Sequence, residues 1–173
     1  KAVVYIWRHD VSGAAGVVIN KKCQQPDFKH ICNEGIIHRL PKVNHPVYYG
    51  GPILTNVVGV LHSTDFILSS TNTLTEDKVG FTLDRKMLEV IARGQGPKNK
   101  LITLGMANWT TGQLEEELEH PRNPAMSWLI MDYDEKFVFG QLDEDKPDDL
   151  WERSVSEAIR AKTREITSKV FKD

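Results

Sequence analysis

The strongest local pattern in the chain lies in residues 100–115, which are KLITLGMANWTTGQLE. The apolar run Lys100–Leu104 predicts a strand, and the small residues of Gly105–Trp109 predict a turn. Thr110 and Gln113 have the spacing of a capping box, which predicts that a helix begins at about Thr110. Because the start of a helix exposes backbone N–H groups, this turn is also a candidate for ligand binding.

Short β-branched and aromatic runs upstream of this segment predict further strands, separated by glycine and proline breaks. Asp84 is predicted to cap a helix over 85–93, with Gly94 as its stop. The small residues of 12–16 predict a turn, and 34–40 have the length of about two helical turns. The predicted strands are 2–8, 17–19, 47–49, 57–62 and 79–83.

The last third of the chain predicts two short strands at Met126–Met131 and Phe137–Phe139. An acidic loop at 141–149 follows, and residues 132–150 as a whole contain eight acidic and two basic groups, which is typical of a solvated loop. An amphipathic pattern then predicts a C-terminal helix over about 150–171.

These short strands are not regularly alternated with helices, a pattern that favours an α+β fold over a doubly wound parallel sheet. We therefore expect a strongly bent, barrel-like sheet, antiparallel or mixed, with helices packed on it. We expect residues 1–173 to form a single domain. Because Ala2–Trp7 already predicts a strand, we also expect a further N-terminal segment before Lys1 in the native chain.

The composition of the 173 residues is that of an ordinary globular protein, with 40% hydrophobic and 27% charged residues. A net charge of −2 offers no field for non-specific binding of nucleic acid or lipid. The two cysteines are too few for a disulfide framework, which indicates a reducing cytoplasm. No apolar run is long enough to span a membrane, so no membrane contact is expected.

Thiols and imidazoles occur close together at Cys23, His30 and Cys32. These side chains are the ligands that zinc prefers, but their spacing lacks the short pairs of a zinc finger or ribbon. We therefore expect free thiols here and no metal. No phosphate-binding or dinucleotide-binding glycine motif is present, and no cofactor is expected.

A second unusual segment, Tyr49–Pro52, places two glycines and a proline directly after a strand. Such residues shape a backbone and a pocket and supply few acids or bases. We predict one ligand-binding concavity shared between the two segments and neighbouring polar residues. Its candidate residues are Asn20, Gly50, Gly51, Pro52, His62, Gly105, Asn108, Trp109, Gln113 and Glu116.

Three functional hypotheses remain open from the residues. The first is a regulatory protein that binds a small molecule or a protein and is not an enzyme. The second is a hydrolase that uses His62 or Glu116 for acid–base chemistry. The third is a DNA-binding regulator, although no helix-turn-helix is present and acidic residues are interleaved with the basic ones of the C-terminal helix. Direct DNA binding is the least favoured of the three, and the oligomeric state stays open.

Several short motifs, taken in order, resemble the YqgE/AlgH family over nearly the whole chain. Asn108 and Met106 depart from it, since glycine and an aromatic residue are common there in the family. The motifs are Gly13–Asn20, Tyr49–Pro52, Leu61-His62, Leu104–Trp109, Gly112–Glu117, Trp128 and Trp151.

The resemblance implies an AlgH-like fold, a bent sheet with helices packed on it, in a cytoplasmic bacterial-type protein. Some members of that family are described as transcriptional regulators, and the resemblance implies no particular reaction. It therefore favours the regulatory hypothesis, with an unidentified small molecule or protein as the partner.

Overall fold

The computed structural model of the chain describes residues 1–33, 37, 40–74, 78–120, 128–140 and 150–170. It divides into two units, and a seven-stranded sheet forms most of the first. We call Ala2–Leu114 the sheet unit, and Glu115–Asp173 together with Lys1 the helical unit. The elements of the sheet unit are β1 (Val4–Asp10), β2 (Gly13–Val18), α1 (Phe28–Ile31), β3 (Val47–Tyr49), β4 (Ile53–Ser63), β5 (Asn72–Leu74), β6 (Val79–Thr82), α2 (Arg85–Ala92) and β7 (Lys100–Thr110).

The strand order is β1-β2-β7-β4-β6-β5, and β3 pairs with β7 outside this path. The β3–β7 pair is parallel and the other pairs are antiparallel. β1 contacts β5 and β6 at the other end of the order, and Trp7 stacks on Phe81 with ring centroids 4.6 Å apart. The sheet is therefore bent into a nearly closed barrel, which confirms the predicted α+β fold.

Helices α1 and α2 cover one face of β3, β4 and β7. Asp84 caps α2 as predicted, since its carboxylate accepts a hydrogen bond from the Lys86 N–H at 2.9 Å. Gly94 follows the helix with φ +74°, the left-handed conformation expected just beyond a helix end. The core between helices and strands includes Phe28, Ile31, Val47, Val58, Val60, Met87, Leu88, Ile91 and Ile102.

Two predicted turns are strand instead. Gly105–Trp109 continues β7, because β2 pairs with its far half from Ala107 to Thr110. The small residues of 12–16 belong largely to β2, which begins at Gly13. A Cβ at Gly16 would lie 2.8 Å from the carbonyl oxygen of Tyr5, so small residues here allow close approach of the strands.

The sequence pattern also misplaced the ends of several elements. β4 begins four residues earlier than predicted, and residues 54–57 bulge out of its ladder with β7. β5 and the short helix α1 were missed. The predicted helix over 34–40 falls mostly on residues outside the described part of the chain.

The described residues of the helical unit contain no strand. They hold α3 (Gln113–Glu119), which begins in the sheet unit, α4 (Glu135–Phe139) and α5 (Leu150–Val170). The predicted strand at Phe137–Phe139 is therefore wrong: the Asp134 carbonyl accepts hydrogen bonds from Phe137 and Val138, as in a helical turn. Residues 128–131 form neither helix nor strand, and residues 126–127 lie outside the described part of the chain. Within the stretch 132–150, predicted to be a solvated loop, residues 135–139 form α4 instead, with Val138 and Phe139 buried, whereas 141–149 lie outside the described residues.

Three glycines bring the connection between β3 and β4 into direct backbone contact with β7. The Gly50 N–H donates to the Leu104 carbonyl at 2.7 Å, and the Gly50 carbonyl accepts from Val18 of β2 at 2.8 Å. A Cβ at Gly50 would lie 2.2 Å from the Gly105 oxygen, and one at Gly105 would lie 2.4 Å from the Gly51 oxygen. We call Gly50, Gly51 and Gly105 the glycine crossing.

We predict that Gly105→Ala lowers the free energy of unfolding by about 3–5 kcal/mol, because it adds both left-handed strain and a clash with backbone. Gly112→Ala is the matched control, since Gly112 has nearly the same φ (+74° against +75°) but no atom within 4 Å of the position that a Cβ would take. The control should lose only about 1–2 kcal/mol. Urea unfolding of both variants measures the difference, and equal losses would show that the crossing is not tightly packed.

Candidate functional site

Four of the predicted site residues have structural contacts within the sheet unit. Asn20 is buried, and its Oδ1 accepts a hydrogen bond from the Val3 N–H at 2.8 Å, which fastens the start of β1 to the end of β2. Gly50, Gly51 and Gly105 form the glycine crossing and meet backbone on both sides. These four residues therefore hold the strands of the sheet together, and any ligand binding would be a second role for them.

The candidates around the end of β7 differ in exposure. Trp109 is buried, whereas Pro52, Asn108 and Gln113 are exposed. The Gln113 Oε1 accepts hydrogen bonds from the backbone N–H and the hydroxyl of Thr110, at 3.1 and 3.2 Å. These are the partners of the predicted capping box, but Thr110 is not the N-cap: it ends β7, Gly112 has φ +74°, and α3 begins at Gln113, three residues later than predicted.

His62 lies apart from the candidates on β7. It pairs with Lys100 at the start of β7, whereas Gly105 and Trp109 lie five and nine residues further along that strand. At about 3.3 Å per residue, these positions are roughly 17 and 30 Å away along the strand. Glu116 is an exposed residue of α3 in the helical unit.

The His62 side chain is completely buried. Its Nδ1 lies 2.9 Å from the Ser63 carbonyl oxygen, so Nδ1 carries the ring proton and donates a hydrogen bond to that oxygen. Its buried Nε2 has no hydrogen-bond partner. Burial lowers the pKa of His62, against smaller opposing effects of the Ser63 carbonyl and the Asp65 charge, so the imidazole is neutral at pH 7.

The thiols and imidazole considered for zinc do not converge. Cys32 is buried and Cys23 half-buried, both thiols are free, and burial raises the pKa of each. His30 is exposed and pairs with Asp27. Among the described residues, no group of three or more His, Cys, Asp or Glu side chains could hold a metal ion.

A cavity of about 280 Å³ lies at the end of α2, between the loop that follows this helix and the segment before β3. Its volume is near the lower end of the ~300–1,000 Å³ range of small-molecule sites. We call it the lysine pocket, and its lining residues are Val43, His45, Ile91, Gly94, Gln95, Gly96, Pro97, Lys98 and Lys100.

The strand register explains how basic side chains meet at this pocket. β3 runs parallel to β7 with Val47 beside Ile102. His45 lies two residues before Val47, and Lys100 lies two residues before Ile102, so the two side chains come to line the same pocket. Burial lowers the pKa of His45, and the Lys100 charge lowers it further. Burial also lowers the pKa of Lys100.

A set of hydrogen bonds fixes the pocket wall that carries Lys98. The Ser63 N–H donates to the Asn99 carbonyl at 2.9 Å, and the Asn99 N–H donates to the Ser63 hydroxyl at 3.1 Å. The Asp65 carboxylate accepts from the Lys98 N–H at 3.1 Å and from the Ser63 hydroxyl. The end of β4 therefore holds the loop before β7 in place.

Sequence reasoning missed the lysine pocket. Residues 94–97 carry a visible signal of two glycines and a proline, but that signal alone predicts only a loop. His45 and Lys100 are 55 positions apart, and only the β3–β7 pairing brings them together.

Comparisons with known proteins give consistent matches. A family model described as AlgH-like matches residues 1–161. A UPF0301 protein of Bradyrhizobium sp. (strain BTAi1) is 34% identical over 156 residues, covering 86% of this chain and 70% of that protein. A UPF0301 protein of Nitrobacter hamburgensis is 34% identical over 154 residues, covering 84% and 69% of the two chains.

A solved structure also resembles this chain. The solution structure of the AlgH protein from Pseudomonas aeruginosa superposes with a TM-score of 0.69 at 26% sequence identity, covering 92% of this chain and 79% of that one. Within the part of the chain that the structure describes, no helix combines the length and the apolar character needed to cross a membrane.

We predict that His62 makes folding stability fall as the pH drops below about 6.5, the pKa of an unfolded histidine. The pKa of His62 is lower in the folded protein than in the unfolded chain. As the pH falls, the unfolded chain therefore binds a proton at this histidine before the folded protein does, and the free energy of unfolding decreases. Urea unfolding between pH 7.5 and 5 should show a shallower loss for His62→Gln than for the wild type.

His120→Gln, which replaces an exposed imidazole, is the control and should keep the wild-type slope. His45 remains in both variants and accounts for part of the slope that persists. A His62→Gln protein with the full wild-type slope would contradict a neutral, buried His62.

Proposed function

Since the chain belongs to the AlgH-like family, as its motifs indicated, we propose that it is a regulatory protein that binds a small molecule and catalyses no reaction. We place the binding site in the lysine pocket. The regulatory role rests on the family resemblance, and the binding role rests on the pocket.

The composition of the pocket wall is the observation that carries this proposal. The described lining contains one imidazole, one amide and two ammonium groups beside apolar and glycine residues. A few convergent polar groups in a concave, partly apolar wall are typical of small-molecule sites. None of the nine lining residues is Ser, Thr, Cys, Asp or Glu, so the wall offers no hydroxyl or thiol nucleophile and no carboxylate for acid–base work.

The hydrolase alternative finds less support. His62 has no exposed surface from which to reach a substrate. Glu116 is exposed on a short helix. General acid–base catalysis needs groups within hydrogen-bond reach of the reacting atoms, and a fully buried imidazole does not meet this condition without rearrangement.

Direct DNA binding is also less favoured. On α5, Arg160 and Arg164 lie 3.6 and 4.0 Å from the Glu157 carboxylate, which offsets part of their charge. Binding to DNA depends on basic groups that are available to phosphates. We therefore propose a small molecule, and not DNA, as the ligand. We further propose that the protein acts in the cytoplasm and regulates through a protein partner.

We predict that small fragments of about 100–250 Da bind in the lysine pocket of the full chain, given its volume. Amide shifts in ¹H–¹⁵N spectra should then move at residues 43–45 and 94–100. Val43→Trp should abolish these shifts, because Val43 lines the pocket and an indole there fills it.

Ile67→Trp is the matched control, since Ile67 and Val43 are 57% and 58% exposed and Ile67 does not line the pocket. It should leave the fragment shifts in place. Shifts confined to other surfaces, or shifts that persist in Val43→Trp, would overturn the choice of site. Turnover of ester or phosphoester substrates that His62→Gln abolishes would favour the hydrolase alternative instead.

A further inference from the structure

We infer that the ligand of the lysine pocket carries an oxyanion, a carboxylate or a phosphate monoester on a compact metabolite. This inference rests on the proposed function and adds the chemical class of the ligand. It follows from how the basic groups of the pocket are held and from what faces them.

The Lys100 ammonium is fixed at the pocket by the loop before β7. Its Nζ donates to the Pro97 carbonyl at 2.7 Å and to the Lys98 carbonyl at 3.3 Å. An ammonium has three N–H donors, so these two acceptors leave one donor for a ligand. The group is also half-buried, where a charge–charge interaction is stronger than in water.

Further lysines lie around the same cavity. Lys98 lines it, and the Lys42 side chain lies beside Gly94, since a Cβ there would be 3.2 Å from the Lys42 Cδ. Among the described residues, no carboxylate lies within ion-pair distance of the Lys98 or Lys100 ammonium. The Asp65 charge acts on Lys100 and opposes the lowering of its pKa, but the Asp65 carboxylate already accepts hydrogen bonds from the Lys98 N–H and the Ser63 hydroxyl.

Unpaired carbonyl groups at the C-terminus of α2 would oppose the positive charge of the lysines, but carbonyls of its last turn accept hydrogen bonds. The Ile91 carbonyl accepts from Gly94 at 2.8 Å, and the Val90 carbonyl accepts from Gln95 at 3.1 Å. These bonds satisfy two carbonyls of the last turn of α2, which would repel an anion more strongly if they were unpaired. Two ammonium groups, the Gln95 amide and a neutral imidazole are therefore the polar side chains of its lining.

The lowered pKa of Lys100 and of His45 agrees with this assignment. In both groups burial is the main cause, so the Lys100 ammonium and the His45 imidazole are desolvated here without an acid in ion-pair contact. An oxyanion in the pocket supplies that partner. His45, neutral at pH 7 because its pKa is lowered, can donate one further hydrogen bond to it.

The test uses three probes that share one carbon skeleton: glycerol 3-phosphate, glycerate and glycerol. Each is titrated into the full chain at constant ionic strength by calorimetry, with amide shifts to locate the site. We expect the phosphate ester or the carboxylate to bind at least about tenfold more tightly than glycerol. The two anionic probes then show which oxyanion is preferred.

Lys98→Gln should weaken binding of the preferred anion about tenfold or more, because it removes one charged hydrogen-bond donor. Lys86→Gln is the control, since it removes an equal charge from an exposed position of α2 outside the pocket lining. It should change the affinity by less than about twofold, as expected for a screened distant charge. Lys100→Gln gives a second test, with its melting temperature measured to verify folding.

The outcomes separate this inference from the proposed function. If neutral or cationic fragments bind the pocket and the two anions do not, or if Lys86→Gln weakens anion binding as much as Lys98→Gln does, the oxyanion inference fails and the pocket remains a binding site. If no fragment and no anion shifts residues 43–45 or 94–100, both fail.

Discussion

The direct backbone contact at the glycine crossing is the constraint on which the rest of the sheet unit depends. Gly50 hydrogen-bonds to β7 through its N–H and to β2 through its carbonyl, so one residue joins three parts of the sheet. Gly105 takes a left-handed φ within a strand, which bends β7 at the same point. A side chain on either residue would separate the backbones that hold the bend.

β7 connects this bend to the lysine pocket. Its far half pairs with β2, and its near half pairs with β3 and β4. The first residue of β7, Lys100, lies beside both His62 and the segment that carries His45. The hydrogen bonds between Ser63 and Asn99 hold the loop before β7 in place. The small residue Gly105 therefore allows the bend within β7, and the basic residue Lys100 lines the lysine pocket at the start of the same strand.

Sequence signals predicted the structure correctly where the interactions involve only residues close together in the chain. Asp84 and Gly94 mark the ends of α2 because a cap hydrogen bond and a left-handed glycine involve only near neighbours. The same reasoning failed for 105–109 and 137–139. Glycine-rich segments form strands when a partner strand is present, and a run of three apolar residues fits a helical turn as well as a strand.

By itself, the sequence determined the α+β class, the family and the unusual glycines, because motifs and caps depend on residue type and spacing. Only the tertiary structure decided what those glycines contact, that His62 is buried away from Trp109, and that His45 meets Lys100. The physical reason is strand register: hydrogen bonds between β3, β4 and β7 set which distant residues become neighbours, and no local pattern encodes that pairing.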